Sequence, residues 1–473
     1  MSRISFGTSG WRGIFCEDFT FENVKIVTQA IADHLRAKGT AARGVVIGYD
    51  ARFMGERFAR ETARVLTGAG IKVFLCDRDT PTPVIAFEIL RRKAAGGINF
   101  TASHNPYDYN GLKYSPESGG PALPETTRDI EQRANALLGE LCYKELDLDV
   151  AARDGLMEMI DPCPDYCAAL KRLVDLDAIA RAGLTIAVNP LYGTGRGYLD
   201  ALLREAGVAV VMMNDQRDPY FGGHPPEPAE EHIADFIALV KGESRIGLGL
   251  ATDGDADRYG IVDGDGTFIE PNYILALLYD YLLRRKGLKG AAARSVATSH
   301  FLDAVAAHHG QQVLETPVGF KFIGEYISAD QILIGGEESA GLTLRGHVPD
   351  KDGILACLLV AEMVAVEKKS LTQLLAELYA RVGTFYTRRD NIRLSSLLEA
   401  GYAAKVATPP EELAGKRVQQ LVTTDGCKLL FADGSWVLFR KSGTEPVVRV
   451  YAEARTQGEL DELSAAAAAF VRG

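Results

Sequence analysis

A strand–helix–strand scheme that recurs at wide spacing constrains this chain more than any other feature. Val45 to Tyr49 (V-V-I-G-Y) reads as a buried strand. A helix follows with Phe58, Thr62, Val65, Leu66 and Ala69 on one face, then a strand from Ile71 to Leu75. Leu184 to Val188 repeats the scheme, with a helix carrying Leu199, Leu202, Leu203 and Ala206 and a strand at Val208 to Met212. A third copy runs from Ser295 to Thr298, through a helix with Leu302, Val305 and Ala306, to a strand near Val313. Short apolar strands alternating with amphipathic helices predict α/β layers with mainly parallel pairing. Three such units predict three similar α/β domains, and a chain of 473 residues has room for three or four.

Towards the C-terminus the pattern changes. Lys428–Ala432 and Ser435–Phe439 flank an Asp433–Gly434 turn, a strong hairpin signal. Val447–Ala452 reads as another strand and Gln457–Val471 as an Ala-rich helix, which together predict an α+β module. Charged or Pro-containing stretches at Asp161–Pro164, Asp263–Gly266 and Arg381–Arg389 mark the breaks. The expected units are 1–155, 156–264, 265–382 and 383–473.

Charge narrows the partners. Lys plus Arg number 52 and Asp plus Glu 63, a net charge of −11. A nucleic-acid surface needs basic patches to neutralise phosphates, so this balance argues against one. A small phosphorylated substrate is still compatible, because a few local cations reverse the field in a cleft. The seven cysteines (Cys16, Cys76, Cys142, Cys163, Cys167, Cys357, Cys427) include no C-x-x-C pair and predict free thiols in a reducing compartment. The start, M-S-R-I-S-F-G, has no apolar signal core. The apolar stretch Ile354 to Val366 is interrupted by Glu362 and too short to span a bilayer. No membrane association and a cytoplasmic location are expected.

Three segments carry chemistry. Thr101 to Pro106 (T-A-S-H-N-P) follows the apolar Gly97–Phe100 and puts Ser103 beside His104, either as a nucleophile on a tight turn or as ordinary loop chemistry. Asp253 to Arg258 (D-G-D-A-D-R) follows a strand at Ile246–Ala251. Its three carboxylates point one way on an extended segment or converge in a loop, and offer hard oxygen ligands suited to Mg²⁺. An EF-hand would need Gly at the sixth position and a carboxylate at the twelfth, where this chain has Arg258 and Gly264. Arg440 to Arg449 (R-K-S-G-T-E-P-V-V-R) frames small polar residues with cations, a phosphate-gripping composition or a basic hairpin end. There is no G-x-x-x-x-G-K-[ST], so a Walker-type triphosphate site is not indicated. Gly335 to Gly341 (G-G-E-E-S-A-G) offers Glu337 and Ser339 to sugar hydroxyls or to a cap, and Gly7 to Gly13 sets Trp11 and Arg12 in a glycine-rich loop. Tyr192 to Gly197 lacks the G-x-G-x-x-G spacing of a dinucleotide fingerprint.

Taken together and in this order, from Gly7 to about Tyr451, these motifs resemble the α-D-phosphohexomutases, the family of phosphoglucomutase and phosphomannomutase. The resemblance implies three similar α/β domains with mainly parallel mixed sheets and a fourth α+β domain around a central cleft. It implies a phosphoserine at Ser103. Mg²⁺ would be held by Asp253, Asp255, Asp257 and an oxygen on Ser103. Arg12, His104, Lys113 and Arg258 would surround the reacting phosphoryl group. Glu337 and Ser339 would bind the sugar, and Arg440, Ser442, Gly443 and Thr444 would grip the non-reacting phosphate. Lys321, His347 and Lys351 match less strict substrate-binding positions. The general base is left open among His104, Lys113 and His347.

The activity implied is interconversion of hexose 1-phosphate and hexose 6-phosphate through a hexose 1,6-bisphosphate, by a monomer or dimer. G-E-E-S-A-G resembles the sugar loop of glucose-preferring members, with mannose phosphate expected as well. The alternatives are a phosphoglucosamine mutase, a phosphoserine-dependent sugar-phosphate phosphohydrolase, and a non-catalytic sugar-phosphate binder. An intact Ser103, aspartate triad and Arg258 argue against the last.

Overall fold

The computed structural model describes residues 3–7, 10–140, 142–395, 401–402, 405–441 and 447–472. Four sheets succeed one another along the chain. The first three share one design. In the first, Val73–Cys76, Val45–Tyr49 and Gly96–Phe100 lie side by side in parallel, and Tyr109–Pro116 closes antiparallel on Gly96–Phe100. In the second the same places are taken by Ala209–Met212, Thr185–Asn189, Ile246–Thr252 and Tyr259–Asp263. In the third they are taken by Val313–Thr316, Ala291–Ser295, Ile332–Glu337 and Gly341–Leu344.

The motif loops therefore occupy one topological position. Ser103 lies in the hairpin connection of the first sheet, Asp253–Arg258 in that of the second, and Glu338–Ala340 in that of the third. A repeat visible only as a rhythm of strands turns out to present the same loop three times.

Three sequence expectations shift. The first strand of the third copy is Ala291–Ser295, not Ser295–Thr298. Three alanines give it little strand character, yet Ala292 and Ala293 are fully buried between parallel neighbours. The break expected at 155/156 falls before Met157–Ile160, which pairs in parallel with Val73–Cys76 of the first sheet. The break expected at 264/265 falls before Phe268–Ile269, which pairs with Tyr259–Asp263 of the second. At the second place backbone pairing carries a strand past the polar stretch Asp263–Gly266, and at the first the paired strand runs up to Asp161–Pro164.

The fourth sheet, residues 386–454, pairs antiparallel throughout. It includes the hairpin at Asp433–Gly434 and is covered by the helix Gln457–Arg472.

The apolar stretch around Ile354 is the helix Gly353–Glu367, almost wholly buried. Such a helix is apolar all round because neighbours surround it on every side. It stands in one continuous core built from both the second and third units. Its interruption, Glu362, is 2% exposed and satisfied by Tyr281 Oη at 2.7 Å, Lys286 Nζ at 2.8 Å and the Asp175 amide at 2.9 Å. Among the described residues no helix is long and apolar enough to cross a membrane, and all seven cysteines are free thiols.

Candidate active site

Ser103 is 2% exposed, with a left-handed backbone (φ 51°) and its amide donating to Thr101 Oγ1 at 2.8 Å. Its Oγ donates to Asp253 Oδ2 at 2.9 Å, and His104 Nδ1 lies 3.4 Å away. The two loops touch because Gly254 has no side chain: a Cβ there would lie 2.9 Å from the Ser103 carbonyl oxygen.

The aspartates converge in a loop, turned by left-handed Ala256 (φ 57°). Asp253, Asp255 and Asp257 are at most 1% exposed, and one ligand atom from each lies within 4.8 Å of the others. Asp255 Oδ2 accepts from Thr82 Oγ1 at 2.5 Å and Lys113 Nζ at 2.6 Å. Asp257 Oδ2 accepts from Lys113 at 2.9 Å and lies 3.2 Å from Lys351 Nζ. The Oδ1 atoms of Asp255 and Asp257 are buried without a hydrogen-bond partner. Orphaned carboxylate oxygens in a closed acidic cluster are costly alone and well suited to a small divalent cation. The donor set fits Mg²⁺.

Charge in this cluster is shared unequally. Burial and the two neighbouring aspartates hold Asp253 well above the usual carboxylate range. Burial would also raise Asp255 and Asp257, but Lys113, joined at Asp257 by Lys351 and Arg258, brings both below it. Burial holds His104 well below the ordinary imidazole value, with Arg258 and Arg12 adding to it. Burial likewise brings Arg12 down to about 10.

Long-range pairing collects these groups. Arg12 stands opposite Gly111 on the strand Gly10–Ile14 and donates to Asn105 Oδ1. Lys113 reaches from the first sheet to aspartates more than 140 residues away. Arg258 pairs by backbone with Gly341 of the third unit and donates to Glu227 at 3.4 Å. Glu337 is 6% exposed, accepts from the Gly319 amide at 2.8 Å, and is pushed up to about 7 by burial and by Glu338.

Ser339 and Arg258 line a cavity of about 390 Å³ where the second, third and fourth units meet. Glu338 lines it as well, its carboxylate accepting from Ser295 Oγ at 3.1 Å and Thr298 Oγ1 at 3.2 Å. A larger cavity, about 560 Å³, is lined by none of these residues.

Ser103, His104, Arg12, Lys113, Arg258, Lys351 and the three aspartates are thus brought together. His347 is not. Its Nε2 lies 2.6 Å from Asp352 Oδ2, which also accepts from Tyr166 Oη, and its side chain is 2% exposed. Lys321 lies in the first turn of the helix Phe320–Ser328, half-buried, its ammonium 5.4 Å from the Phe322 ring. Arg440 is held by Asp425 Oδ2 at 2.9 Å, and that carboxylate also accepts from the Val318 amide of the third unit. Ser442, Gly443 and Thr444 lie outside the described residues.

Sequence reading missed Asp50, Arg52, Thr82 and Glu227. The signal for the first two was a D-x-R directly after the strand Val45–Tyr49, at the strand end where α/β sheets place their sites. Thr82 and Glu227 carried no local signal.

Comparison with known proteins decides the family. The chain matches phosphoglucomutase/phosphomannomutase alpha/beta/alpha domain I over residues 3–138, domain II over 164–266, domain III over 270–382, and the C-terminal domain over 400–470. The chain belongs to the phosphoglucomutase/phosphomannomutase family. A phosphoglucomutase/phosphomannomutase of Thermococcus kodakarensis is 34% identical over 97% of this chain and 96% of its own. A probable phosphoglucosamine mutase of Methanosphaera stadtmanae is 31% identical over 97% and 96%. The crystal structure of a putative phosphomannomutase from Thermus thermophilus superposes with a TM-score of 0.86 at 34% identity, covering both chains completely. The chain is therefore a phosphohexomutase of the isomerase class, in a family that is in general Mg²⁺-dependent. These relatives carry three different substrate names.

Proposed function

We propose that this phosphohexomutase interconverts hexose 1-phosphate and hexose 6-phosphate, favouring glucose and accepting mannose, with Ser103 as covalent carrier and a hexose 1,6-bisphosphate as intermediate. The observation that carries this reading is the 2.9 Å contact between Ser103 Oγ and Asp253 within a cluster holding two orphaned carboxylate oxygens and four cations.

In the first half-reaction the free hydroxyl of the bound sugar attacks the phosphorus on Ser103. An O–P bond to the sugar forms as the Oγ–P bond breaks, and Ser103 Oγ leaves with the electron pair. Arg12, Lys113, Arg258 and Lys351 offset the charge of the phosphoryl group, since positioning and electrostatics do most of the work in phosphoryl transfer. Mg²⁺ held by Asp253, Asp255, Asp257 and a phosphoserine oxygen would add charge stabilisation at the transferring oxygens. Geometry favours His104 as the base for the attacking hydroxyl. Lys113 is engaged by two carboxylates and His347 by Asp352. The bisphosphate then turns over, with Glu337 and Ser339 on the sugar and Arg440 with Ser442–Thr444 on the idle phosphate. Ser103 Oγ takes back the other phosphoryl group.

Glucose preference rests on the wording of the G-E-E-S-A-G loop. A phosphohydrolase is disfavoured, because hydrolysis needs no grip on a second phosphate. Intact mass should show one phosphate on the purified chain. Ser103→Ala should lose at least ~10²-fold in glucose 1-phosphate turnover with its melting temperature unchanged. Phosphate release outpacing isomer formation would overturn the mutase reading, and faster turnover of glucosamine 1-phosphate would overturn the substrate choice.

A further inference from the structure

Beneath the Ser103 loop lies a cation that touches neither the aspartate triad nor the cavity. Arg52 is fully buried, as is its partner Asp50. A guanidinium has five N–H donors in a rigid fork, and here each is used. Nε donates to Asp50 Oδ2 at 3.1 Å. Nη1 donates to the carbonyls of Pro106 at 2.7 Å and Tyr109 at 3.0 Å. Nη2 donates to the carbonyls of Ser103 at 2.7 Å and Asn105 at 2.6 Å. Four of the five donors thus hold backbone oxygens of the one segment that carries the nucleophile. The Arg52 amide donates back to Asp50 Oδ1 at 2.9 Å, fixing the stem.

The second unit closes this arrangement. Phe221 lays its ring over the guanidinium, 5.0 Å from carbon to centroid, in a turn pinned by Asp218. Ser103 meanwhile keeps a left-handed backbone, which a non-glycine residue holds only where its surroundings over-determine it. Arg52 supplies that over-determination, because its planar fork fixes four carbonyl positions at once.

We propose that Arg52 is a positioning residue for phosphoryl transfer, templating the Ser103 loop so that Oγ faces Asp253, with Phe221 coupling the template to the second unit. The proposal rests on the reading of Ser103 as carrier. An error of about 1 Å in a reacting group is enough to cost ~10²-fold in rate. A point ammonium cannot reproduce the fork.

The test uses the full-length chain with Mg²⁺. Arg52→Lys should lower kcat by ~10²-fold and move KM by less than about 3-fold, since it touches no sugar or phosphate contact. Phosphorylation of Ser103 by added glucose 1,6-bisphosphate should slow by the same factor, while circular dichroism stays native. Phe221→Leu, which removes the ring and leaves every donor, should lower kcat by about 5-fold with KM unmoved. A folded Arg52→Lys with kcat within about 3-fold of the parent, or with its loss in KM, overturns the proposal. If Arg52→Lys does not fold, Phe221→Leu decides, and an unchanged kcat there overturns it. Ser103→Ala runs in parallel: if it stays active, the carrier reading fails and this proposal with it, whereas an inactive Ser103→Ala beside a fully active Arg52→Lys rejects the template alone.

Discussion

The second and third units are joined in a way that the third and fourth are not. Between the former runs one continuous apolar core, with the buried helix Gly353–Glu367 inside it. The first unit inserts Val84 into the same core. The fourth unit keeps a core of its own. It meets the third through a small cluster, Val296 and Ala297 against Trp436, Leu438 and Tyr451, and through a buried polar junction. There Glu453, 1% exposed, accepts from Ser299 Oγ, the His300 amide and Trp436 Nε1. A shared core behaves as one packed body, whereas a small mixed junction resembles the interfaces across which domains move. The difference assigns tasks. The aspartate loop is set against the Glu338–Ala340 loop by packing, whereas the fourth unit, which carries the proposed phosphate clamp, is set against the third by a junction a few contacts deep.

The largest expected effect tests the packed half. Chelation should lower kcat by at least ~10²-fold, and Mg²⁺ should restore it while Ca²⁺ does so poorly, because the triad offers too few ligands for calcium's shell. Asp257→Asn should act in the same direction on kcat and leave KM nearly unmoved. Rates after add-back of each metal check this. Equal activity with both ions, or a loss expressed in KM, would break the division of tasks.

A smaller effect is expected at the junction. Ser299→Ala removes a donor to Glu453 and the acceptor of the Phe301 amide. A buried carboxylate losing a partner costs about 2 kcal/mol. Because the cost falls between the third and fourth units, KM should rise several-fold while kcat changes little. Steady-state kinetics with a thermal melt separate the two. A kcat loss at unchanged KM would show that this junction also sets the chemistry.

The contrast also explains what the sequence made legible. Strand rhythm and the three motif loops were readable, because buried parallel strands are apolar and phosphate and metal chemistry needs particular residue types. Which loop faces which was not. Lys113 meets Asp255 and Asp257 only through the sheets that carry them. His347 sits four residues from Lys351, yet Lys351 turns to Asp257 and His347 to Asp352 and Tyr166. Arg52 was passed over because four of its five donors go to backbone carbonyls, which leave no mark in the sequence beyond the D-x-R that pairs it with Asp50. Ala291–Ser295 was misplaced because its strand character comes from its neighbours rather than from its own side chains.

The smallest effect is the most specific to the junction. Lys428 is fully buried there, donating to the Val296 carbonyl at 2.8 Å and to His300 Nε2 at 2.9 Å. It lies 4.0 Å over the Trp436 ring and 3.6 Å from Glu315, with Arg294, Asp303 and Glu453 also facing it. Burial, with Arg294 adding to it, brings the ammonium down to about 8 from an ordinary value of 10.5. Between those two values the unfolded chain binds more protons than the folded one, so this group's contribution to stability rises with pH. Below about pH 8 both states are protonated and the full cost of burying the charge is present. From about pH 7 to about pH 9 the wild type should gain about 1 kcal/mol relative to Lys428→Met, the integral of that proton difference. Urea unfolding of both proteins across this range, followed by the fluorescence of Trp11 and Trp436 together, measures it. A difference that stays flat or falls with pH would mean that Lys428 keeps an ordinary or a raised value in the folded chain. The fourth unit would then be anchored by a strong ion pair rather than held lightly at its edge.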